Sequence, residues 1–518
     1  MSLSSSDGNL MMSLNLDSIE NEVLTAPEDV YELAGGAAEV PRVLAAARRA
    51  AAWWRTLSVK ERASWLLRFR RELVDRLDEI VAVVGQEINK PRFDAINEVM
   101  QCGLLIGCHA RRGPKILRSR RLTPGLQWNK RAAIHYRPLG VVGCITPWNY
   151  PVALPLMSAV PALLAGNAVI LKPSRLALRT ALCLQEAFNA LGPPEPVFQV
   201  LAGDRATGVA LAGSGVDKLV FVGGSRGARA IAQAAAARFT PLLLELGGND
   251  PMIVAADADV ERAAQAAAWG AFFNAGQSCV AIERCYVDRT IAEPFIERVV
   301  EIARGLSQGF SAVTAPESLP GPDWDHDLGP IRTAEHLAEV RELLADAIAQ
   351  GAVVRCGGAP AAADDHCFPP TVLTNVHHGM RIMREEVFAP LLPIMAVCNM
   401  DEAIALANDT PYGLSASIWT RNRRQAWRWA EQFHTGGVAI NDCLVHFGIT
   451  EIPFGGVRQS GFGRVGGREG LWEFCATQSV VEHRFGMRLP FHWFPYRDKH
   501  RWMARIARWM FGSRSSRR

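Results

Sequence analysis

An alternation of short apolar runs with helical patterns constrains the fold of this chain more than any other feature. The helical stretches 176–191 and 226–238 separate several of these runs. Strand–helix alternation of this kind predicts a parallel sheet with covering helices. The apolar runs are 139–145, 168–171, 197–201, 219–222 and 242–244.

A second α/β series follows the first, from about residue 252 to about residue 440. It includes a strand at 285–287 and a helix at 333–350. Residues 246–250, Leu-Gly-Gly-Asn-Asp, form a plausible hinge between the two series. Before the first series, residues 1–25 are polar and predicted to be flexible, and residues 40–112 are predicted to be helical. The predicted fold class is α/β.

The composition and charge exclude several functional classes. Hydrophobic residues make up 49% of the 518 and charged residues 21%, an ordinary globular balance. The net charge is +4, but residues 484–518 carry +9, which leaves −5 on the first 483. A mildly acidic body does not suggest a nucleic-acid partner. No signal peptide and no apolar stretch of 18 residues is evident, so we expect a cytoplasmic protein.

The cysteines point to the same compartment. They number eleven, an odd count, and none forms a C-x-x-C pair. This pattern is typical of reduced thiols and predicts neither a disulfide framework nor a zinc site. We therefore expect no metal ligands.

A glycine-rich turn follows the run 219–222, and its meaning is ambiguous. The sequence Gly223-Gly224-Ser225-Arg226-Gly227 leads into a helix. A strand, a glycine turn and a helix can present a helix N-terminus to a phosphate. The same residues match G-x-S-x-G, the nucleophile elbow of serine hydrolases, with Ser225 as nucleophile. A plain tight turn is the third interpretation.

Two residues could carry nucleophilic and base chemistry. Cys279 follows the polar, glycine-containing turn 273–278, which could expose its thiol, although a single cysteine is more often a small buried hydrophobe. Glu245 ends an apolar strand, and burial there would raise its pKa towards that of a useful base. The alternative for Glu245 is a structural acid in an ion pair.

Two further segments supply polar groups where strands end. In Thr146-Pro147-Trp148-Asn149-Tyr150-Pro151, two prolines stiffen a loop that presents the Asn149 amide, a suitable oxyanion donor. Lys172 follows the run 168–171. In open α/β sheets, cofactors bind at the carboxyl edge, where this cation would lie.

The combination and order of these segments resemble the aldehyde dehydrogenase superfamily, over about residues 30–485. Seven ordered matches make a chance agreement negligible. The matching segments are P-W-N-Y-P at 147–151, L-K-P-S at 171–174, the glycine turn at 223–227, E-L-G-G at 245–248, G-Q-S-C at 276–279, E-E-V-F-A-P at 385–390 and P-F-G-G-V-R-Q-S-G at 453–461.

The resemblance implies a domain organisation. We expect a Rossmann-like cofactor domain at 26–245, a catalytic α/β domain at 246–440 and a return to the cofactor domain at 441–483. A small oligomerisation segment is expected at about 115–138. Relatives are usually dimers or tetramers, so a homodimer or homotetramer is expected.

The resemblance also implies residue roles. Cys279 would attack the aldehyde, Asn149 would hold the oxyanion, and Glu245 would activate the water that releases the acid. The expected cofactor is NADP or NAD. The residues expected to bind it are Trp148, Lys172, Ser174, Arg175, Gly223, Gly224, Ser225, Leu246, Glu386 and Phe388.

Departures from the family pattern refine this expectation. Gly224 and Ala228 replace the hydroxyl and the last glycine of the usual turn F-T-G-S-x-x-x-G, and Ala389 replaces a common glycine. Arg175 stands where NAD-preferring relatives commonly have Glu. An arginine there favours the 2′-phosphate of NADP, unless its side chain points into water.

The predicted substrate is a small-molecule aldehyde with an apolar body, either aliphatic or aromatic. Phe273 stands where succinate semialdehyde dehydrogenases have an arginine, six residues before the cysteine. The candidate pocket residues are all apolar: Leu154, Met157, Trp269 and Phe273. Alternatives are a coenzyme-A-acylating semialdehyde dehydrogenase, against which Glu245 argues, a succinate semialdehyde dehydrogenase, a serine hydrolase at Ser225, and a catalytically silent scaffold.

The C-terminal tail, 484–518, is basic and amphipathic. In 497–511, Trp502, Ile506, Trp509 and Met510 recur at helical spacing, and Arg501, Arg505 and Arg508 occupy another face. Such a helix suits the surface of an anionic membrane or docking on a neighbouring subunit.

Overall fold

The computed structural model describes residues 36–309, 326–358, 367–486, 492–497 and 499–512. The predicted flexible segment 1–25 lies outside the described residues. Contacts divide the chain into a large unit, up to Ile116 and from Pro138 to Cys475, and a small unit, Leu117–Arg137 and Ala476 onwards.

The described strands, in chain order, are β1 (Arg120–Leu122), β2 (Lys130–Pro138), β3 (Val141–Thr146), β4 (Ala168–Pro173), β5 (Phe198–Val200), β6 (Lys218–Val222), β7 (Leu242–Glu245), β8 (Asp250–Val254), β9 (Ile282–Asp288), β10 (Val353–Cys356), β11 (Thr371–Thr374), β12 (Leu391–Val397), β13 (Ser415–Trp419), β14 (Gly437–Ile440), β15 (Gly461–Phe462) and β16 (Cys475–His483). The described α-helices are α1 (Val40–Trp54), α2 (Val59–Asp75), α3 (Leu77–Ile88), α4 (Arg92–Ile116), α5 (Ala153–Ala165), α6 (Leu178–Asn189), α7 (Arg205–Gly213), α8 (Ser225–Ala236), α9 (Val260–Phe272), α10 (Ala292–Gly305), α11 (Ala334–Ala349), α12 (Met400–Asn408), α13 (Arg423–Ala430), α14 (Val445–Gly448), α15 (Gly467–Trp472) and α16 (Lys499–Phe511).

A six-stranded sheet in the order β15-β7-β6-β3-β4-β5 contains the five predicted strands of the first series. Those five run parallel, and β15 pairs antiparallel with β7. From β3 the chain moves outwards through β4 and β5, then returns to place β6 on the other side of β3. The carboxyl edge between β3 and β6 is therefore a topological switch point, where α/β sheets bind ligands.

A seven-stranded sheet in the order β10-β11-β12-β9-β8-β13-β14 contains the second series. Its strands are parallel except for β10, which pairs antiparallel with β11. The chain passes from the first sheet to the second between Glu245 and Asp250, within the predicted hinge. The mixed α/β fold with parallel sheets confirms the predicted fold class, whereas the domain boundaries stay a prediction.

The small unit contains a three-stranded sheet in the order β1-β2-β16. β1 pairs antiparallel with β2, with Arg120 opposite Ile134. Strands are thus present at the predicted oligomerisation segment, and their role in assembly stays a prediction. The same unit contains α16, the predicted tail helix, none of whose described side chains is buried.

Candidate active site

The register of the six-stranded sheet aligns the predicted site residues along its carboxyl edge. Thr146 at the end of β3 is level with Pro173, so the loop of Asn149 begins beside Lys172. Val222 at the end of β6 is level with Glu245, so the glycine turn begins beside the predicted base. Residues far apart in sequence therefore share one edge, as parallel strands require.

The turn before Cys279 is rigid. Asn274 and Ala275 both have φ of 55°, in the left-handed region, and Gly276 has φ of 70°. A side chain at Gly276 would collide with the backbone of Ala389, which explains the glycine. The Gln277 amide donates to the Asn274 carbonyl at 3.2 Å, and its oxygen accepts from the Arg332 N–H at 2.8 Å. Cys279 is thereby held at a partly exposed position.

Hydrogen bonds join the Asn149 loop to this turn. The Asn149 amide donates to the Gln277 carbonyl at 3.1 Å, two residues from Cys279. The Asn274 amide donates to the carbonyls of both Asn149 (3.2 Å) and Gln277 (3.1 Å). The structure thus brings together the predicted oxyanion donor and the segment that carries the nucleophile.

A buried ion pair that we did not predict contacts the Asn149 loop. Lys90 lies 2.7 Å from Glu98, and both side chains are buried. The Lys90 ammonium also donates to the Asn149 carbonyl at 2.7 Å and lies 4.1 Å from the centroid of the Tyr150 ring. The other oxygen of Glu98 accepts from the N–H groups of Val152 and Ala153, each at 2.7 Å.

Cys279 is surrounded by acidic groups. Burial raises the pKa of its thiol, and the charges of Asp250, Glu245 and Glu386 raise it further. The thiol is therefore protonated at neutral pH, and a base must remove its proton before it can act as a nucleophile.

Glu245 is the last residue of β7, and it is buried. Among the described residues, neither of its carboxyl oxygens has a hydrogen-bond partner. Burial raises its pKa well above the usual range, although Arg464 acts in the opposite direction. A Cβ on Gly455 would lie 2.8 Å from one of these oxygens, so the glycine leaves room at the carboxylate. These are the properties expected of a general base.

The predicted cofactor residues flank the switch point. Gly223 has φ of 157°, and Gly224, the N-cap of α8, has open space where a side chain would be. In the part of the chain that the structure describes, no side chain caps this helix N-terminus, which leaves N–H groups for a phosphate. Ser225 is the first residue of α8. The turn therefore fits a dinucleotide.

The cations of this edge lie near one another. Burial lowers the pKa of Lys172 to about 8; the charge of Asp204 opposes this shift, and the charges of Arg175 and Arg205 add to it. Arg175 itself is exposed. Ser174 accepts from the Leu176 N–H at 3.3 Å, which begins the turn that carries Arg175. We did not predict Arg205, the first residue of α7, because nothing in its local sequence marks it.

The remaining predicted cofactor residues are Glu386, Phe388, Trp148 and Leu246. The Glu386 carboxylate accepts from the Gly248 N–H at 3.3 Å and packs against Gly247. Burial and the nearby Glu283 raise the pKa of Glu386. The rings of Trp148 and Phe388 meet edge-on with centroids 6.3 Å apart. Leu246, between Glu245 and Gly247 in sequence, is buried.

The predicted substrate residues fall into two groups. Leu154 and Met157 are buried in α5. Trp269 and Phe273 belong to a series of neighbouring rings that we call the aromatic row. The centroid distances along the row are 5.3 Å for Trp269–Phe273, 6.4 Å for Phe273–Tyr150 and 6.0 Å for Tyr150–Phe447. We did not predict Tyr150 and Phe447 as members of the row, and α14, which contains Phe447, has no pattern that would have identified it.

Comparisons with known proteins agree with this geometry. The pattern of the aldehyde dehydrogenase family matches residues 28–480. The 4,4′-diapolycopene aldehyde oxidase of Methylomonas sp. is 41% identical over 88% of this chain and 84% of that protein. A putative succinate-semialdehyde dehydrogenase [NADP(+)] of Mycobacterium tuberculosis is 34% identical over 91% and 90%.

A crystal structure of lactaldehyde dehydrogenase from Escherichia coli superposes with a TM-score of 0.82 at 32% identity, covering 87% of this chain and 92% of that one. These matches confirm the resemblance inferred from the seven motifs. The chain therefore belongs to the aldehyde dehydrogenase family.

Proposed function

We propose that this chain oxidises a long, apolar aldehyde to its carboxylic acid, with NADP or NAD as cofactor. The aromatic row carries this proposal. Its four neighbouring rings form an apolar cluster, in which Trp269 is exposed and Phe273 lies six residues before Cys279. A relative at 41% identity is named 4,4′-diapolycopene aldehyde oxidase, and this name supports the oxidation of an aldehyde.

The chemistry follows from the positions of three side chains. The Cys279 thiol gives its proton to solvent as its sulfur bonds to the aldehyde carbon, and the Asn149 amide with the Cys279 N–H stabilises the resulting oxyanion. Hydride then leaves the same carbon, and the carbonyl re-forms as a thioester. A bound nicotinamide supplies the hydride acceptor. Glu245 then takes a proton from water, which attacks the thioester and releases the acid and the thiol.

The cofactor preference that we propose is NADP. Arg175 is exposed at the carboxyl edge, near Lys172 and Arg205, so three cations are available to a 2′-phosphate. The M. tuberculosis relative is named for NADP(+), which supports this preference.

Succinate semialdehyde is the second candidate substrate, since that relative is named for it. A distal carboxylate needs a cation in the pocket. Phe273 instead stacks on Tyr150 at an angle of 25° between the rings. Glu245 likewise favours hydrolysis over transfer to coenzyme A. The position of Ser225 on the glycine turn, beside the other cofactor residues, favours a cofactor role over a hydrolase elbow.

A chain-length series of linear aldehydes tests the substrate, with NAD(P)H release measured in the absence of coenzyme A. Each added CH₂ should contribute about 0.8 kcal/mol, about a fourfold gain in kcat/KM, until the pocket is filled. Phe447→Ala should flatten the series, whereas Trp427→Ala, which removes an exposed ring on α13, should not. A kcat/KM that does not increase with chain length, or a preference for succinate semialdehyde, would contradict the proposal.

Substitution of the nucleophile tests the reaction class. Cys279→Ala should abolish acid formation, while Ser225→Ala should retain turnover. Turnover that survives loss of the thiol and disappears with the Ser225 hydroxyl would favour the hydrolase interpretation.

We also propose that the chain forms a homodimer or homotetramer in the cytoplasm, and that its tail contacts a membrane surface. In the part of the chain that the structure describes, none of the helices combines the length and apolar character needed to span a bilayer. Exposed Trp502, Ile506 and Trp509 on α16 suit contact with the surface of a bilayer instead. A Trp502→Glu, Trp509→Glu double variant should bind anionic vesicles more weakly than the parent and keep its sedimentation coefficient. A change of assembly would show that the tail docks on a subunit.

A further inference from the structure

Helix α4 exposes apolar side chains on its outer face. Phe93 is 78% exposed, Ile96 37%, Met100 56% and Leu104 57%. Their spacings of three and four residues place them on one face of the helix, over about 16 Å of its length. We call these four residues the α4 stripe.

The opposite face of α4 is also apolar, since Val99, Cys102 and Ile106 are buried in the large unit. An ordinary surface helix buries one apolar face and presents polar residues to water. The α4 stripe therefore departs from that pattern, and a contiguous exposed apolar surface of this kind marks an interaction site.

The charges on α4 indicate what covers the stripe. The two acids of the helix, Asp94 and Glu98, are buried. Arg111 and Lys115 are exposed near its C-terminal end. Arg112 pairs with Glu451 at 3.3 Å. Apolar side chains bordered by exposed cations complement an anionic lipid surface.

The stripe lies next to the aromatic row. A Cβ on Gly448 would lie 3.4 Å from the Gln101 side chain, so α14 runs beside the middle of α4. Phe447 of the same short helix belongs to the aromatic row. Ile449, the next residue after α14, is exposed and extends the apolar surface. Gln101 of α4 and the segment that carries Phe447 and Ile449 are therefore neighbours, which brings one end of the aromatic row close to α4.

We propose that the α4 stripe docks on an anionic lipid surface, and that the apolar aldehyde passes from this lipid to the aromatic row. The inference rests on the proposed function for its substrate. An aldehyde with a long apolar body partitions into lipid. If the entrance to the substrate site contacts that lipid, the aldehyde does not have to pass through water. The lipid surface therefore provides both the occupant of the stripe and the source of the substrate.

A double variant, Met100→Gln with Leu104→Gln, tests the docking in the full chain. Sedimentation with vesicles of phosphatidylcholine, with and without phosphatidylglycerol, measures binding. We expect the parent to bind the anionic vesicles, and the variant to bind about tenfold more weakly. The kcat/KM for hexadecanal presented in those vesicles should fall by a similar factor, and that for butanal in solution should not change.

The matched control is Ile348→Gln with Val353→Gln, which removes two comparably exposed apolar side chains from α11 and β10. It should bind vesicles as the parent does. A Met100→Ser, Leu104→Ser variant repeats the test if the glutamine variant does not fold, as judged by its butanal activity.

Three results would overturn the docking proposal: a parent that does not bind, a double variant that binds as the parent does, or a double variant with an altered oligomeric state. The last would show that a second copy of the chain covers the stripe. A different result would contradict the proposed function: a parent that does not oxidise hexadecanal dispersed in detergent. The two failures can be told apart because vesicle binding is measured without turnover.

Discussion

Replacement of Lys90 by methionine tests whether the buried ion pair supports the Asn149 loop. The ammonium has three partners: Glu98 and the Asn149 carbonyl, each at 2.7 Å, and the face of the Tyr150 ring. Methionine keeps the length of the side chain and removes the charge. The Glu98 carboxylate then stays buried, with only two backbone N–H groups as partners.

The expected cost is large because the remaining charge cannot reach water. Removing one partner of a buried pair costs about 3–5 kcal/mol in the free energy of unfolding, whereas an exposed pair contributes about 0–1 kcal/mol. Urea unfolding followed by circular dichroism measures the difference. The control is Arg298→Met, which breaks more exposed ion pairs, with Glu261 and Glu301.

A second variant separates charge from packing. In Lys90→Met with Glu98→Gln, the amide oxygen still accepts from Val152 and Ala153, and no buried charge remains. We expect this double variant to recover most of the stability lost in Lys90→Met. Its kcat should still be below that of the parent, because the Asn149 carbonyl has lost one of its two donors. A single Lys90→Met variant within about 1 kcal/mol of the parent would refute the reasoning.

Three further predictions concern the reaction and the cofactor. The raised pKa of Glu245 means that its carboxyl group loses its proton only above the ordinary carboxyl range, so kcat should rise with pH there. Glu245→Gln should remove this rise and give a burst of NAD(P)H followed by slow turnover. An unchanged steady state would contradict the role assigned to Glu245. Arg175→Glu should raise KM for NADP by about tenfold or more and leave KM for NAD nearly unchanged; equal effects would show that Arg175 does not face the ribose. Lys172, with a pKa lowered to about 8, is charged below that pH and neutral above it, so KM for NADP should increase between neutral and alkaline pH in the parent and stay flat in Lys172→Met.

The sequence predicted those parts of the fold and site that depend on local pattern. Apolar runs ended by glycine or proline identified β3, β4 and β6, and parallel pairing then placed Asn149, Lys172 and the glycine turn at one edge. Strand ends can be inferred because the polar residue that follows an apolar run marks them.

Other parts of the site depend on contacts between distant segments, which a single sequence does not reveal. Lys90 and Asn149 are 59 residues apart, and the position of Phe447 beside Tyr150 depends on how α14 folds back. The α4 stripe was missed because its residues resemble a core face: an apolar periodicity says which residues share a side of a helix and not whether that side is covered.

Among the described residues, the carboxyl group of Glu245 has no hydrogen-bond partner, and in a general base this state would set reactivity against thermal stability. A buried acid with no hydrogen bond to its oxygens costs about 1–3 kcal/mol of folding free energy. In the role that we propose for Glu245, this cost accompanies a high basicity, since a nearby hydrogen-bond donor would stabilise the carboxylate and lower its pKa. Selection for higher thermal stability would therefore favour substitutions that remove this buried carboxyl group or give it a hydrogen-bond partner. A member of the family that no longer catalyses the reaction could accept such substitutions and become more stable than its active relatives.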